Sequence, residues 1–252
     1  MDDAAPHRTG PRNIITRASC PSTQDIVREE ALAGAPAGTV CVTDHQTAGR
    51  GRRGRTWSDP PGKALMFSYL ARVTRAPEEL STLSLLVGIV VAETLPLGPR
   101  LRWPNDLVLN GGKVAGILVE LVTPPDQPLF AIIGIGINAN LTADELPPTD
   151  RLPATSLLVE GGHEVDRIAL LEALGAGLDA ALELFDREGF APFVARYAAL
   201  DGLVGHAITL NLPHESIAGN AVGIDTEGRL LLRLDDGSEQ AFSAGEVERV
   251  LD

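Results

Sequence analysis

Residues 102–120 have the sequence RWPNDLVLNGGKVAGILVE, which combines a β-hairpin pattern with several chemically reactive side chains. A short apolar run is followed by Asn110-Gly111-Gly112 and by a longer run rich in β-branched residues, so we predict two antiparallel strands joined by a glycine-rich turn. Asp106 and Lys113 lie on either side of this turn, and strand pairing would direct both toward one cavity. Considered singly, Asp106 is more simply a turn residue and Lys113 a surface charge.

A second signal lies upstream, in Gly49-Arg50-Gly51-Arg52-Arg53-Gly54-Arg55, which we call the arginine loop. Its glycines give the backbone conformational freedom and leave N–H groups open to a ligand. The net charge of the chain is -13, so this local gathering of guanidinium groups indicates a site for a phosphate or a carboxylate. The alternatives are an exposed basic loop without a ligand and a nucleic-acid-binding segment, and the acidic remainder of the chain opposes the latter.

Lysine is rare in this chain, because Lys63 and Lys113 are the only two among 21 lysine and arginine residues. Arginine evidently serves wherever a general positive charge suffices, so a retained lysine indicates a need for a compact ammonium. Lys113, Asp106 and the arginine loop together suit a reaction that builds negative charge, such as attack of a carboxylate on a phosphate. For Lys63 we prefer chance retention.

Composition limits the class of protein. A chain of 252 residues that is 44% hydrophobic can form one large domain, or one with a small appendage. Cys20 and Cys41 are too few for a disulfide framework, and the histidines show no ligand spacing, so we expect a cytoplasmic protein without a structural metal. The acidic pI, near 4.8, and the lack of a targeting segment or a long apolar run indicate that the protein binds neither DNA nor membranes.

The remaining pattern predicts an α+β fold, in which a mixed sheet packed with helices precedes a small barrel. Helical patterns lie at 22–33, 78–95, 166–185 and 192–200, with Asp166 as an N-cap; strand patterns lie at 38–43, 65–70 and 130–137. After Gly202 short alternating runs are separated by turns, which predicts a five-stranded barrel. We therefore expect one domain over residues 1–202, with 1–13 flexible, and a second over 203–252.

The run Gly134-Ile135-Gly136-Ile137-Asn138 is a weaker signal. Its glycines suggest a close approach of the backbone to a ligand. A dinucleotide-binding fingerprint is rejected, because no helix with the required pattern follows. Asn138 is equally well explained as a contact to ribose or phosphate and as a turn-forming residue.

In this order along the chain the motifs resemble those of the biotin protein ligases. The resemblance covers nearly the whole chain from about residue 14, and it rests on Ser22-Thr23, the arginine loop, Trp103-Pro104-Asn105-Asp106, Lys113 with residues 116–120, and the run at 134–138. It implies a catalytic domain like that of class II synthetases followed by an SH3-like barrel. It also implies a two-step reaction. Biotin and MgATP give biotinyl-5′-AMP and pyrophosphate, and a lysine of a biotin carboxyl carrier domain, as in acetyl-CoA carboxylase, then attacks the mixed anhydride.

The resemblance implies overlapping sets of site residues, with no metal site and no permanently bound cofactor. The residues implied in catalysis are Lys113, Asp106 and Arg52. Those implied in binding biotin are Ser22, Thr23, Gln46, Gly49, Arg50, Arg52, Lys113, Gly116 and Leu118. Those implied in binding ATP or the adenylate are Arg52, Arg53, Arg55, Trp103, Asn105, Asp106, Lys113 and Asn138. Lys113 would bridge the biotin carboxylate and the α-phosphate, and Asp106 would assist the acceptor lysine or orient the adenylate.

Two positions depart from the family pattern. Arg102 stands where the family usually has lysine, and Gln24 stands where asparagine is frequent. Some members carry an N-terminal helix-turn-helix that represses transcription, and about 20 residues precede the first predicted helix here, so we expect the enzyme-only type. The alternative functions are a lipoate or octanoyl ligase or transferase of related fold and a non-catalytic nucleotide-binding module.

Overall fold

The structure, a computed structural model, describes residues 12–124, 128–148 and 152–251, with side chains described up to Glu248. Most of the segment expected to be flexible, residues 1–11, lies outside these ranges. Arg12 does not fit that expectation, because its Nη2 lies 2.6 Å from Asp179 Oδ2 and its guanidinium stacks over the Tyr69 ring. These contacts fix the start of the described chain against the larger of two sheets.

The larger sheet has seven strands. They are β1 (Ile14–Arg17), β2 (Val40–Thr43), β3 (Leu65–Arg72), β4 (Arg100–Arg102), β5 (Asp106–Leu109), β6 (Gly112–Val122) and β7 (Phe130–Ile137). Their order across the sheet is β1-β2-β3-β7-β6-β5-β4. β1 runs parallel to β2 and the other neighbours pair antiparallel, so the predicted mixed sheet and the β5–β6 hairpin are confirmed. The short strands β1 and β4 are missing from the sequence prediction.

Within the described ranges, five α-helices accompany this sheet. They are α1 (Thr23–Leu32), α2 (Leu83–Thr94), α3 (Leu157–Gly161), α4 (Arg167–Glu188) and α5 (Ala191–Leu200). Asp166 caps α4 as predicted, since its Oδ1 accepts hydrogen bonds from the N–H groups of Ile168 and Ala169. The helix predicted over 78–95 is instead a 3₁₀ segment, Pro77–Thr82, that leads into α2.

The two faces of the sheet have different roles, because successive side chains of a strand point to opposite faces. On β3, Phe67 and Tyr69 pack with the side chains of α2 and α4 in the main core. Leu70 points the other way and packs with Val27 of α1. Ser68 shares the face of Leu70 but lies beyond this cluster, and small residues continue the row on the neighbouring strands. The α1 face is therefore hollow at one end.

The smaller sheet follows along the chain and is antiparallel throughout. Its strands are β8 (Ala207–Asn211), β9 (Ser216–Ile224), β10 (Leu230–Arg233), β11 (Glu239–Phe242) and β12 (Glu246–Leu251), in the order β11-β10-β9-β8-β12. This arrangement confirms the predicted five-stranded unit. The boundary between residues 202 and 203 stays a prediction.

Hydrogen bonds from side chains link the two sheets, which also share one hydrophobic core. Trp103 Nε1 donates to the carbonyl oxygen of Gly228 at 3.1 Å, and Arg102 Nη2 donates to that of Val247 at 2.8 Å. In the described ranges, none of the helices combines the length and the apolar character needed to cross a bilayer.

Candidate functional site

A cavity of about 610 Å³ occupies the hollow end of the α1 face, a volume typical of small-molecule sites. Its walls come from the start of α1, the arginine loop, the β5–β6 hairpin, β7 and the start of β12. The predicted site residues in this lining are Ser22, Thr23, Gln46, Arg50, Arg52, Arg55, Trp103, Asn105, Asp106, Lys113, Gly116, Leu118 and Asn138.

Gly49 and Arg53, also predicted for the site, do not line the cavity. Gly49 packs behind it, and a Cβ added there would lie 2.5 Å from the carbonyl oxygen of Trp57. Arg53 has a φ of 57° and directs its Nη1 toward Glu246 Oε2 at 3.4 Å. Two of the residues that the resemblance implies in substrate binding therefore lie outside the walls of the cavity.

One end of the cavity is a cluster of buried neutral polar groups. The backbone N–H of Thr23 donates to Gln46 Oε1 at 2.8 Å, and the hydroxyl oxygens of Thr23 and Ser68 lie 2.8 Å apart. Gln46 Nε2 finds only a weak acceptor, Met66 Sδ, at 3.6 Å. Ser22 is the N-cap of α1, but its hydroxyl makes no capping bond. This end can therefore exchange hydrogen bonds with a neutral polar ligand.

The other end is a continuous chain of charged and amide groups. Lys113 Nζ lies 2.6 Å from Asp106 Oδ1, as the hairpin pattern predicted. Asn105 Nδ2 donates to the same carboxylate oxygen at 3.3 Å, and Asn105 Oδ1 accepts from Arg52 Nη1 at 3.0 Å. The series of interacting side chains Arg52, Asn105, Asp106 and Lys113 thus contains two cations and one carboxylate, which gives this end of the cavity an excess of positive charge.

The arginine loop is itself a small hairpin over the cavity. Trp57 N–H donates to the Gly49 carbonyl at 2.9 Å, and Gly51 N–H donates to that of Arg55 at 2.7 Å. Among the described carboxylates, Asp25 pairs with Arg50, and Glu246 of β12 pairs with both Arg53 and Arg55.

Arg52 differs from the other three arginines of the loop, since no described carboxylate forms an ion pair with it and its hydrogen bond goes to a neutral amide. Burial, followed by the charge of Arg53, lowers the pKa of Arg52 below its ordinary value. A guanidinium stays charged even so. Arg52 is therefore the arginine of this loop whose positive charge is available to an anion.

Trp57 is a lining residue that the sequence prediction missed. Its ring lies against β6 and β7, where a Cβ added to Gly136 would be 2.7 Å from ring carbons and one added to Gly116 would be 3.1 Å away. Lys113 Nζ lies 5.7 Å from the ring centroid. Gly136, one of the two glycines expected to admit a ligand near the backbone, thus makes room for this side chain, whereas the other, Gly134, lies against Gln24. The signal in the sequence was an aromatic residue two positions after the loop.

The two departures from the family pattern have structural partners. Arg102 lines the cavity, but its guanidinium donates to the carbonyl groups of Val247 and Glu248 and joins the two sheets. Gln24 lies in the floor, where Nε2 donates to the Leu118 carbonyl at 3.0 Å and packs against Gly134.

Asn138 is buried and uses its amide NH₂ within the protein. Asn138 Nδ2 donates to the carbonyl oxygen of Thr155 at 2.9 Å and to that of Lys113 at 3.3 Å. Of the two interpretations of this residue, these contacts favour the structural one, in which Asn138 holds the end of β7 beside the lysine.

A buried carboxylate, Asp59, faces the partly exposed His45 next to Gln46. The Asp59 side chain has 0% solvent exposure, and its Oδ2 lies 3.8 Å from His45 Nδ1, which is beyond hydrogen-bond distance. Neither oxygen of this carboxylate has a hydrogen-bond partner among the described residues. Burial, opposed by the charge of His45, raises the pKa of Asp59 to about 6.

This shift predicts a fall in stability with rising pH. The folded protein holds the Asp59 proton up to about pH 6, whereas the unfolded chain loses it near the ordinary value of 3.8, so the free energy of unfolding should decrease between these limits. A shift of about two pKa units corresponds to about 3 kcal/mol. We expect Asp59→Asn to remove this decrease and to be more stable than the wild type above pH 6. Urea unfolding at about pH 4.5 and about pH 7.5 measures both quantities. An equal change with pH in the two proteins would contradict the prediction.

No group of three or more His, Cys, Asp or Glu side chains that could hold a metal ion occurs in the described part of the chain.

Comparison with known proteins gives consistent matches over both sheets. The sequence model of the Biotin/lipoate A/B protein ligase family matches residues 17–138, and a second model with this description matches residues 81–199. The model of the Biotin protein ligase C terminal domain matches residues 204–250.

Individual relatives and solved structures are similar to the chain over most of its length. The bifunctional ligase/repressor BirA of Escherichia coli is 40% identical over 215 residues, which make up 84% of this chain and 66% of the relative. The biotin--[acetyl-CoA-carboxylase] ligase of Mycobacterium tuberculosis is 33% identical over 249 residues, which make up 95% of this chain and 90% of the relative. The solved structure of biotin protein ligase from Aquifex aeolicus in complex with biotin and ATP matches with a TM-score of 0.81 and 30% identity, over 96% of this chain and 100% of that one.

Proposed function

The chain belongs to the biotin protein ligases of the biotin/lipoate A/B protein ligase family, and from this premise we propose that its cavity activates biotin with ATP and transfers it to a carrier protein. The protein is an ATP-dependent ligase that forms biotinyl-5′-AMP and then an amide with a lysine of a biotin carboxyl carrier domain. The observation that carries the proposal is one cavity with a neutral polar end and an end with excess positive charge.

The charged end suits the first step. A carboxylate oxygen of biotin attacks the α-phosphorus of ATP, the bond to the β-phosphate oxygen breaks, and pyrophosphate leaves with Mg²⁺, which enters as part of the MgATP substrate. Negative charge accumulates around the α-phosphate, where Lys113 and Arg52 supply fixed cations. Asp106 holds the Lys113 ammonium at 2.6 Å, so the cation is positioned before the substrates arrive.

The second step uses the same groups in another way. The acceptor amine attacks the carbonyl carbon of biotinyl-5′-AMP, the bond from that carbon to the phosphate oxygen breaks, AMP leaves, and the amine releases one proton to the solvent. Asp106 is the carboxylate nearest to the reacting atoms in this arrangement, so we assign to it the orientation of the acceptor lysine. Lys113 again neutralises charge on the departing phosphate.

The neutral end suits the ureido ring of biotin, which offers a carbonyl acceptor and two N–H donors. The Ser22 hydroxyl, which makes no capping bond, and the weakly bonded Nε2 of Gln46 can donate to that carbonyl. The oxygens of Thr23 and Ser68 can accept from the ring N–H groups. Lipoate has neither a carbonyl nor an N–H group on its dithiolane ring and could not exchange hydrogen bonds with this cluster, which argues against the lipoate alternative.

We extend the proposal to the protein that accepts biotin and to the place in the cell where the enzyme acts. A carrier domain of acetyl-CoA carboxylase is the natural acceptor, because the similar enzyme of Mycobacterium tuberculosis is named for that substrate. A cytoplasmic location is supported by Cys20 and Cys41, which are buried and free.

Incubation with a purified carrier domain tests the function. With biotin, MgATP and this protein, we expect the carrier to gain the mass of one biotinyl group, as measured by intact-protein mass spectrometry. A carrier with arginine in place of its acceptor lysine is the control and should stay unmodified. Lipoate offered instead of biotin should give no product. Modification by lipoate but not by biotin would contradict the proposal, as would an unmodified carrier in the presence of biotin.

A further inference from the structure

The pairing of β5 with β6 is irregular at Lys113. Leu107 lies opposite Ala115, but the next residue of β5, Val108, lies opposite Lys113, so Val114 is an extra residue on β6. A β-bulge of this kind disrupts the ladder locally and re-aims a side chain. Pairing with β5 alone therefore does not fix the direction of the Lys113 side chain, and contacts from elsewhere must do so.

These contacts come from Thr155, on the side of β6 opposite β5. The N–H of Thr155 donates to the Lys113 carbonyl at 2.9 Å, and Asn138 Nδ2 bonds both the Lys113 and the Thr155 carbonyl. Thr155 also packs against Gly112, where an added Cβ would lie 2.7 Å from Thr155 Cβ. With only 4% exposure, Thr155 is a fixed support for the backbone of Lys113.

Glu160 joins this support to the turn of the hairpin. The Thr155 hydroxyl donates to Glu160 Oε1, and Asn110 Nδ2 donates to Glu160 Oε2. Asn110 has a φ of 45°, the left-handed conformation that a tight hairpin turn requires. The carboxylate thus closes a ring of contacts that runs from the turn through Thr155 to Lys113.

The short helix α3 brings Glu160 to this place. Ser156, which is 0% exposed, caps the helix by accepting the N–H of Val159 at 3.0 Å, and the N–H of Glu160 donates to the Ser156 carbonyl at 3.1 Å. The helical turn returns the chain over Thr155, five positions earlier. Glu160 itself does not line the cavity.

We propose that Glu160 is a positioning residue for the activation of biotin, because through Thr155 and the hairpin turn it sets the place of the Lys113 ammonium. This inference rests on the proposed function for its effect on the reaction. A fixed cation stabilises a transition state only where the charge develops, so a small displacement is costly. Glu160 acts at a distance through hydrogen bonds, so we expect its loss to cost about tenfold, less than the loss of Lys113.

Chemical acetylation tests the positioning without substrates, because Lys63 is an internal reference in a chain with two lysines. The Lys113 ammonium lies 2.6 Å from Asp106 Oδ1, and an amine held in its protonated form is a poor nucleophile. We expect Glu160→Ala to raise the acetylation rate of Lys113 relative to Lys63 by about fivefold, as measured by mass spectrometry of peptides. Glu164→Ala, which replaces an exposed acid four residues further on, is the matched control and should keep the wild-type ratio.

A second variant reaches the same contact from the other side. Thr155→Val removes the hydroxyl that Glu160 accepts but keeps the shape that packs against Gly112. It should raise the acetylation ratio by a similar factor. An unchanged ratio in both folded variants would overturn the inference.

Kinetics of pyrophosphate release connect the displacement to the reaction. Glu160→Ala should lower kcat for biotinyl-5′-AMP formation by about tenfold. Glu160→Gln should restore it to within about twofold, because the glutamine oxygen still accepts from Asn110 and its amide can donate to the Thr155 hydroxyl. In a protein that already carries Lys113→Ala, adding Glu160→Ala should change the remaining rate less than about twofold, since a residue that acts through Lys113 has no effect without it.

The double variant separates positioning from a general loss of structure. A tenfold loss on adding Glu160→Ala to Lys113→Ala would overturn the inference, and so would a Glu160→Gln protein as slow as Glu160→Ala. A raised acetylation ratio in Glu160→Ala, in a protein whose wild type forms no biotinyl-5′-AMP, would leave the positioning of Lys113 standing and refute the proposed function instead.

Discussion

Lys113→Ala is expected to lower the rate of biotinyl-5′-AMP formation by about a hundredfold or more, while the protein still folds. The side chain lies at the half-exposed end of a hairpin, so little apolar packing is lost with it. Its ammonium is the cation nearest to Asp106 and the one we place between the biotin carboxylate and the α-phosphate. Without it, that carboxylate repels both substrates.

The measurement is release of radiolabelled pyrophosphate in the absence of carrier, which isolates the first step. Lys63→Ala is the natural control, because Lys63 is the other lysine of the chain and does not line the cavity. It should retain the wild-type rate. A Lys113→Ala protein with near-normal adenylate yield would refute the role assigned to the ammonium.

Arg52→Gly is expected to release biotinyl-5′-AMP before transfer, so that unrelated lysines become biotinylated. The change removes the loop guanidinium that no described carboxylate pairs with, together with its hydrogen bond to Asn105. A hydrogen bond to a charged group contributes about 1.5–3 kcal/mol, so the adenylate should dissociate roughly 10- to 150-fold faster. A loop that closes over a mixed anhydride also excludes water and competing amines, and this protection is weakened.

Streptavidin blotting of added bystander proteins measures the leak, and quenched-flow measurement of adenylate release gives its rate. Arg53→Gly separates loss of the guanidinium from added flexibility, because residue 53 already has a φ of 57° that glycine adopts readily. The Arg53→Gly protein should release much less biotinyl-5′-AMP, and label bystander proteins much less, than the Arg52→Gly protein. An Arg52→Gly protein that still makes adenylate but leaves bystanders unlabelled would falsify the closure mechanism.

Features set by local sequence were predictable. The turn at Asn110-Gly111-Gly112 fixes the β5–β6 pairing, and that pairing alone brings Lys113 to Asp106. The Asp166 cap is likewise decided within three residues.

Features that depend on distant partners were not predictable in this way. Most of α1 and all of β2 lie between Asp25 and the arginine loop, and every strand from β3 to β11 lies between the loop and Glu246. Nothing in the local sequence of these two acids marks them as partners of arginines. The strands β1 and β4 have only four and three residues, too few for a periodic pattern. Gly136 was recognised as a place of close approach, but the approaching group, Trp57, is brought there by the loop.

The placement of the two tryptophans gives this protein a built-in optical reporter. Trp103 is 4% exposed and bonded to Gly228, so its fluorescence reports the junction between the sheets. Trp57 lies in the cavity wall, with an indole N–H that has no described partner and an ammonium 5.7 Å from its ring. Both the polarity and the charge around Trp57 change when a ligand enters. Emission from a protein with Trp103→Phe would then follow occupancy of the cavity in real time, without any added dye.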